Sequence, residues 1–384
     1  MEKTLIENTL VKTSYSEDDV IVLLKDLTND MIEMSTEERE RAIQSGKHYS
    51  EMLPEEKAPS SEYEDLYNKA LKDKKSDIAL GIARVAEIMF NKAKSNNEKT
   101  PVIISLARAG IPVGILIKRY IKQKYSIDCP HYAISIIRDK GIDENAMEFI
   151  WDEEVRYKEN SSGVENFFFV DGWTGKGAIK TQLEEAVKQL KKKDIRKWMD
   201  LSDDLYVLAD PANITQYCGT HEDYLLPSSC LNSTVSGLTS RTILNSLIDK
   251  KDFHGAVYFK RFEDIDKSVE FIDTISKEFK QLDAIDATLK GLDKNWNGMS
   301  IVTDICNLMS IEDYKKVKPG IGETTRVLLR RVPWKVLINK DVSQDDPDIQ
   351  HILMLCNEKR IPTMRWDLGN YKVCGIIKEL SADA

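Results

Sequence analysis

The residues best suited to chemistry form one run: Asp171, Gly172, Trp173, Thr174, Gly175, Lys176 and Gly177, set behind the apolar stretch Phe167, Phe168, Phe169 and Val170. A buried strand ending in an acid, then a Gly/Thr-rich turn at a helix start, is a natural phosphate cradle. The turn's backbone N–H groups and the positive end of the helix dipole attract the anion. Glycine lets the backbone approach closely, and Thr174 adds a hydroxyl donor. Asp171, at the strand tip, is placed to accept hydrogen bonds from ribose hydroxyls or to hold a hydrated Mg²⁺. The alternative is an ordinary turn joining a strand to a helix. Two nucleotide motifs fail on spacing. A Walker loop, G-x-x-x-x-G-K-[ST], is longer and needs Ser or Thr where Gly177 stands, and a dinucleotide G-x-G-x-x-G orders its glycines differently.

The elements that must position this run alternate in type. "PVIISLARAG" is a short apolar strand entering a small-residue turn, and "IPVGILIKRYIKQKY" follows as a helix. "HYAISIIRD", "NFFFVDGW" and "LYVLADPAN" are further strands, with "AIKTQLEEAVKQLKK" a helix between the last two. Such alternation predicts a mostly parallel sheet covered on both faces, with ligands beyond the carboxyl ends of its strands. Residues 1–95 are predicted as a helical extension. "TSYSEDDVIVLL" starts a helix capped by Ser16 with Asp19 three positions on, and Ile78, Leu80, Ile82, Val85, Ile88 and Met89 mark a longer one. The core then spans 96–255, a mostly helical connector 256–315, and a compact β/α domain 316–384 after "KPGIGE".

Composition narrows the class. With 384 residues, 41% hydrophobic and 31% charged, the chain is an ordinary globular one with room for two domains. A net charge of −9 excludes bulk affinity for nucleic acid and leaves only a local basic patch. No apolar run approaches the roughly 20 residues of a membrane span. The start, "MEKTLIENTL", lacks a signal-peptide pattern, so a cytoplasmic location is expected. The cysteines (Cys129, Cys218, Cys230, Cys306, Cys356 and Cys374) are scattered without a C-x-x-C pair, against both a zinc site and a disulfide framework. The oligomeric state stays open.

Taken together, "VIISLARAGIPVG" and "FFFVDGWTGKG" resemble the two phosphoribosyl-diphosphate (PRPP) loops of type I phosphoribosyltransferases. The resemblance implies an α/β domain of that fold and Mg²⁺-PRPP as substrate. Ala107, Arg108, Ala109 and Gly110 would face the diphosphate, and Asp171 and Gly172 the ribose. Thr174, Gly175, Lys176, Gly177 and Ala178 would anchor the 5′-phosphate. The second acid of the usual acidic pair is Gly172 here. Arg138 and Lys140, in "IIRDKGIDENAMEF", would cover the leaving diphosphate; a solvated turn is the alternative. The implied reaction is substitution at C1 of PRPP by a nucleobase or related nucleophile, through an oxocarbenium-like transition state that rewards stabilisation of the leaving group.

Five stretches, "HYSEMLPEE", "RAGIPVGILIKRY", "VDGWTGKGAI", "DYLLPSSCLNSTVSGLTSRT" and "VKPGIGETTRVLLRR", resemble the StiP family. Its members are described as a phosphoribosyltransferase-like domain followed by a Pelota/L7Ae-like RNA-binding domain, in stress operons linked to tellurite resistance. The implied product is a modified ribonucleoside or nucleotide, though the family is also called a cysteine protease. In "KPGIGETTRVLLRR", Gly320, Glu323 and Arg326 fall on the fold's RNA-contacting positions. Arg330 would share a helix face with Arg326, and Arg331 lies close by. RNA or tRNA is the implied partner; a protein-docking module is the alternative.

Three readings of function follow: the transferase, a non-catalytic PRPP or nucleotide sensor docking on RNA, and a thiol hydrolase. For the last, Cys230 is the candidate nucleophile, with His221 or His254 as base. Ser229, Asn232, Ser233, Ser236 and Arg241 could wall a polar substrate site, or form a capped turn before a helix "SRTILNSLI". His48 and Tyr49 could belong to a hood over a nucleobase, or to a plain loop.

Overall fold

The computed structural model describes residues 9–96, 99–159, 161–282 and 297–378. Its central sheet contains β1 (Ile21–Val22), β2 (Val102–Leu106), β3 (His131–Ile134), β4 (Phe167–Trp173), β5 (Leu205–Ala209) and β6 (Cys218–Thr220). The strands lie in the order β1-β3-β2-β4-β5-β6, and every pair is parallel. Side-chain alternation loads both faces. Ile103, Phe168 and Val170 pack with helices α1 (Ser61–Ser95) and α2 (Gly110–Tyr125). Val102, Ile104, Phe167 and Phe169 pack with Leu183, Val187 and Leu190 of α3 (Ala178–Lys193) on the opposite face. Burying each of these Phe rings contributes about 2–3 kcal/mol before chain entropy is counted. The sheet is thus mixed α/β and mostly parallel, as the alternation predicts.

The chain runs from β2 to β3 on one side, then crosses to β4 on the other. The strand order therefore reverses between the carboxyl ends of β2 and β4, the place where open α/β sheets bind ligands.

The N-terminal reading needs correction. Residues 17–19 form a turn, in which Ser16 Oγ accepts only the Asp18 N–H, and no helix follows. Ile21 and Val22 instead add to the sheet edge beside Tyr132 and Ala133. The β-branched run Val20, Ile21, Val22 favours extension, and Asp19 pairs with Arg119 of α2 at 2.7 Å. The helix "SRTILNSLI", weighed as the alternative to a substrate-site wall, is also absent. That stretch bridges in extended form to 255–258, through Thr239 with Tyr258 and Ile243 with Gly255.

The C-terminal part has its own sheet, made of β7 (Val317–Pro319), β8 (Pro333–Asn339), β9 (Thr363–Trp366) and β10 (Val373–Ile377), in the order β7-β10-β8-β9. Helix α4 (Ser268–Glu278) belongs to the first domain. Helix α5 (Gly298–Met309) packs Val302 and Ile305 against Leu337, Tyr371 and Cys374. Helix α6 (Ile321–Arg330) and helix α7 (Gln350–Glu358) cover the other face, where Ile321, Leu328, Ile338 and Ile352 merge with the core of the first domain. No helix among the described residues is long and apolar enough to cross a membrane.

Candidate functional site

Two turns meet at the switch point. The first, residues 107–110, leaves β2 and enters α2; the second leaves β4 at Trp173 and enters α3. They approach so closely that a Cβ on Gly110 would lie 2.3 Å from the Val170 carbonyl oxygen, and one on Gly172 would lie 3.2 Å from that of Ala109. Glycine at 110 is a condition of the architecture. A second acid at 172 would have to crowd the first loop.

Asp171 is buried, and its carboxylate accepts the Gly172 N–H at 2.7 Å. Burial raises its pKa to about 7, against the pull of that hydrogen bond and of Arg326. Arg108 donates to the Thr239 carbonyl at 2.9 Å and lies 4.0 Å from Glu56. Glu56 in turn accepts both the N–H and the hydroxyl of Ser233 at 3.0 Å. Arg108, Ala109, Asn232, Ser236, Trp173 and Arg326 line a recess of about 290 Å³ that opens to solvent.

Of the residues expected to hold a 5′-phosphate, Thr174 and Lys176 have their side chains engaged within the protein. Thr174 is buried, and its hydroxyl bonds the carboxylate of Asp210. Lys176 reaches across to the Tyr314 and Val317 carbonyls at 2.6 and 3.0 Å. Burial lowers its pKa to about 8, with Lys318 and Arg138 adding repulsion. The Gly175 carbonyl accepts the Tyr371 hydroxyl at 2.7 Å. Gly177 and Ala178 begin α3, which has no side-chain N-cap.

The second domain closes over this turn. Asp223, buried and raised to about 6 by burial, accepts the Ile321 and Lys372 N–H groups, each at 2.9 Å. Gly320 sits at φ 92° beside it. Glu323 joins Trp173, Thr174, Ser229 and Gly320 around a second recess of about 340 Å³. Arg326 lies over the Trp173 ring at 4.8 Å, and its Nε reaches the Ser229 carbonyl at 3.4 Å. The residues expected to contact RNA, Gly320, Glu323 and Arg326, thus face the first domain. Arg331 is exposed, and the Arg330 side chain lies outside the described residues.

Arg241 lies two residues beyond Thr239, whose carbonyl accepts from Arg108. It is exposed to solvent, yet protein packed around it lowers its pKa to about 10, as do Arg108, Arg39, Arg331 and Arg326. Ser229 donates to Leu226 O at 2.7 Å and Ser236 N–H to Ser233 O at 3.0 Å, so both shape the wall. Of the other expected residues, His48 caps the short turn Tyr49–Glu51 through Ser50. The Tyr49 hydroxyl accepts the Arg138 N–H at 3.0 Å, which tethers the turn carrying Arg138 and exposed Lys140.

Cys230 is buried with its Sγ 4.0 Å from Leu226 O, and all five histidines bond elsewhere: His48 to Ser50, His131 to Ser105, His221 to Asp210, His254 to Ser135 and His351 to Thr325. The structure therefore brings neither His221 nor His254 to Cys230. It brings His221 to Cys218 instead, with Sγ 3.8 Å from Nδ1 and 3.7 Å from Nε2. Ligand atoms of Asp210, Cys218 and His221 lie within 4.8 Å of one another. Cys218 is buried, and burial raises its thiol to about 12, so a thiolate is disfavoured. Its sulfur is nearly equidistant from both ring nitrogens, off the line of either lone pair.

Residues 13–276 match the family described as "Tellurite-like stress resistance cysteine protease StiP". The chain belongs to the StiP family. Residues 296–379 match the "PELOTA RNA binding domain", which covers the second sheet and its helices. A relative from Acinetobacter baylyi named "Cysteine protease StiP" is 32% identical over 381 residues, covering 96% of this chain and 94% of the relative. In this StiP-family chain, sequence reasoning missed Glu56, Asp210 and Asp223 as parts of the site. Asp210 had a signal, since "LADPAN" puts an acid at a strand tip just as Asp171 does. Glu56 had none, because its partners Ser233 and Arg108 are remote in sequence.

Proposed function

We propose that the chain is an enzyme whose active cleft, at the β2/β4 switch point, takes a phosphorylated anionic substrate, and that this substrate is Mg²⁺-PRPP. The observation that carries this reading is the recess lined by Arg108 and Arg326 where the two turns meet, together with buried Asp171 near the carboxyl end of β4. Arginine matches phosphate with a fixed fork of donors, and a cleft of low polarity strengthens each contact. In this reading Arg108 and the N–H groups of 107–110 stabilise the leaving diphosphate. Asp171, poised near pH 7, holds a ribose hydroxyl or accepts a proton from the incoming nucleophile. Mg²⁺ would arrive with PRPP as part of the substrate, and Asp171 is the carboxylate able to meet its water. The second domain, by its match to an RNA-binding family, would bind RNA. Diphosphate release from PRPP with a panel of nucleobases tests the reading. Release by the wild type that Asp171→Asn abolishes is the expected outcome, and none with any acceptor overturns it.

A thiol hydrolase is the second reading, favoured by the names of the family and its relative and by the Asp210, Cys218, His221 group. Here Cys218 replaces Cys230 as the candidate nucleophile. Reaction would require the buried sulfur to become accessible and His221 to turn one nitrogen toward it. Intact-mass analysis after iodoacetamide treatment tests it. Rapid native alkylation of Cys218, together with peptide hydrolysis lost in Cys218→Ser, would support this reading over the first.

A further inference from the structure

Two recesses adjoin at Trp173, and their walls differ in kind. The one of about 290 Å³ carries Arg108 and Arg326. The other, about 340 Å³ with its mouth included, is lined by Trp173 and Thr174, by Glu222, Asp223 and Ser229 of the first domain, and by Glu323 of α6. Among the described residues no lysine, arginine or histidine lines it. Its hydroxyls are already committed as donors. Thr174 gives its proton to Asp210, and Ser229 gives its own to the Leu226 carbonyl at 2.7 Å, so each has only lone pairs left to offer. Glu323 is half-buried. Burial would raise its carboxyl, but Arg326 at 3.2 Å and Lys318 at 4.0 Å outweigh that and hold it below its ordinary value. An ionised carboxylate accepts at about four positions and donates at none, and these two cations use only part of that capacity. Asp223 accepts the N–H groups of Ile321 and Lys372, which caps the start of α6 and still leaves lone pairs. Exposed Glu222 adds a third carboxylate, and the Trp173 indole a flat aromatic surface. Side chains that mostly accept, set beside an aromatic ring, suit a planar ligand with N–H groups to give. A ligand carbonyl in the same place would face like lone pairs and lose its hydrogen bonds to water.

We infer that this recess, walled by both domains, binds a planar heterocycle bearing an exocyclic amino group, and that Glu323 accepts a hydrogen bond from that group. The inference rests on the transferase reading, in which the heterocycle is the acceptor and Glu323 determines which acceptor is taken. Helix α6 then serves as a wall of the first domain's site, a use separate from holding RNA.

The test is titration calorimetry on the full chain with cytosine and with uracil, which carry an amino group and a carbonyl on the same ring carbon. It is run at about pH 8, where Asp223 is ionised too, with and without Mg²⁺ and inorganic diphosphate. Cytosine is expected to bind about tenfold or more tightly than uracil, because a site of acceptors rejects the carbonyl. Glu323→Gln, which can donate as well as accept, should weaken cytosine about tenfold and narrow the preference. Glu222→Gln, at an exposed position, should narrow it about twofold and decides the matter if Glu323→Gln lowers the urea midpoint. Equal affinity for the two bases, no heat with either under any condition, or a preference unchanged in both variants overturns the inference. Titration with Mg²⁺-PRPP keeps the two claims apart. Heat with PRPP but none with cytosine sinks only this inference, whereas cytosine binding that depends on Glu323 without PRPP heat sinks only the transferase reading.

Discussion

The turn after β2 and the turn after β4 look alike in sequence, each a strand running into small residues and a helix, yet they end in different states. The first lines an open recess with Arg108 and Ala109, although Arg108 also donates to the Thr239 carbonyl. In the second, two side chains are engaged by the protein itself, Thr174 by Asp210 and Lys176 by the Tyr314 and Val317 carbonyls, and the Gly175 carbonyl accepts the Tyr371 hydroxyl. Short motifs report the shape a backbone will take. Whether its donors are free depends on partners far away in sequence, and in the second turn those partners include a whole neighbouring domain.

The contrast can be broken most severely at Asp210. This carboxylate is fully buried and accepts the Thr174 hydroxyl, the Ile214 N–H at 2.8 Å and the Thr215 N–H at 3.0 Å. Asp210→Ala leaves these donors without their acceptor and is expected to cost about 3 kcal/mol, read as a lower midpoint in urea unfolding. An unchanged midpoint would show that the second turn does not depend on Asp210.

A smaller effect of opposite sign is expected at Asp171. Burial keeps it protonated up to about pH 7 in the folded chain, whereas a free aspartate loses its proton near its ordinary value of 3.8. Its raised folded pKa therefore favours folding below about pH 4, and that contribution is lost as pH rises through 7. Asp171→Asn, which cannot ionise, should be more stable than the wild type at pH 8 by about 2 kcal/mol and should flatten stability between pH 4 and 7. Asp223 titrates near 6 and leaves a residual slope below that pH. Parallel pH–stability curves for the two proteins would refute the assignment.

The mildest prediction concerns the bridge between domains. Lys176→Ala removes two charge-assisted bonds to carbonyls of the second domain. A loss of about 1 kcal/mol is expected, together with faster proteolysis between the domains. Equal cleavage rates would mean that Asp223 and the shared apolar core hold the domains together without it.

Much of the fold was legible because its signals are local. Short continuous apolar runs marked β2 and β4, and the apolar series from Ile78 to Met89 marked α1. The edge strand Ile21–Val22 was hidden because two residues carry too little pattern and the acid-rich segment before it mimics a helix cap. At the site, Arg108 and Asp171 could be read from strand tips. The bond between Thr174 and Asp210 spans 36 residues and that between Arg108 and Thr239 spans 131, so no spacing rule reaches either. Cys230 drew notice for its polar neighbours, but packing set its histidines elsewhere and brought His221 to Cys218.

The central claim is that the open turn, not the occupied one, receives the anion. Titration calorimetry of Mg²⁺-PRPP into the wild type and Arg108→Ala tests it most directly. Binding that weakens about tenfold in the variant, or 1.4 kcal/mol, is the predicted result; no heat with the wild type, or equal affinity in both proteins, would contradict it.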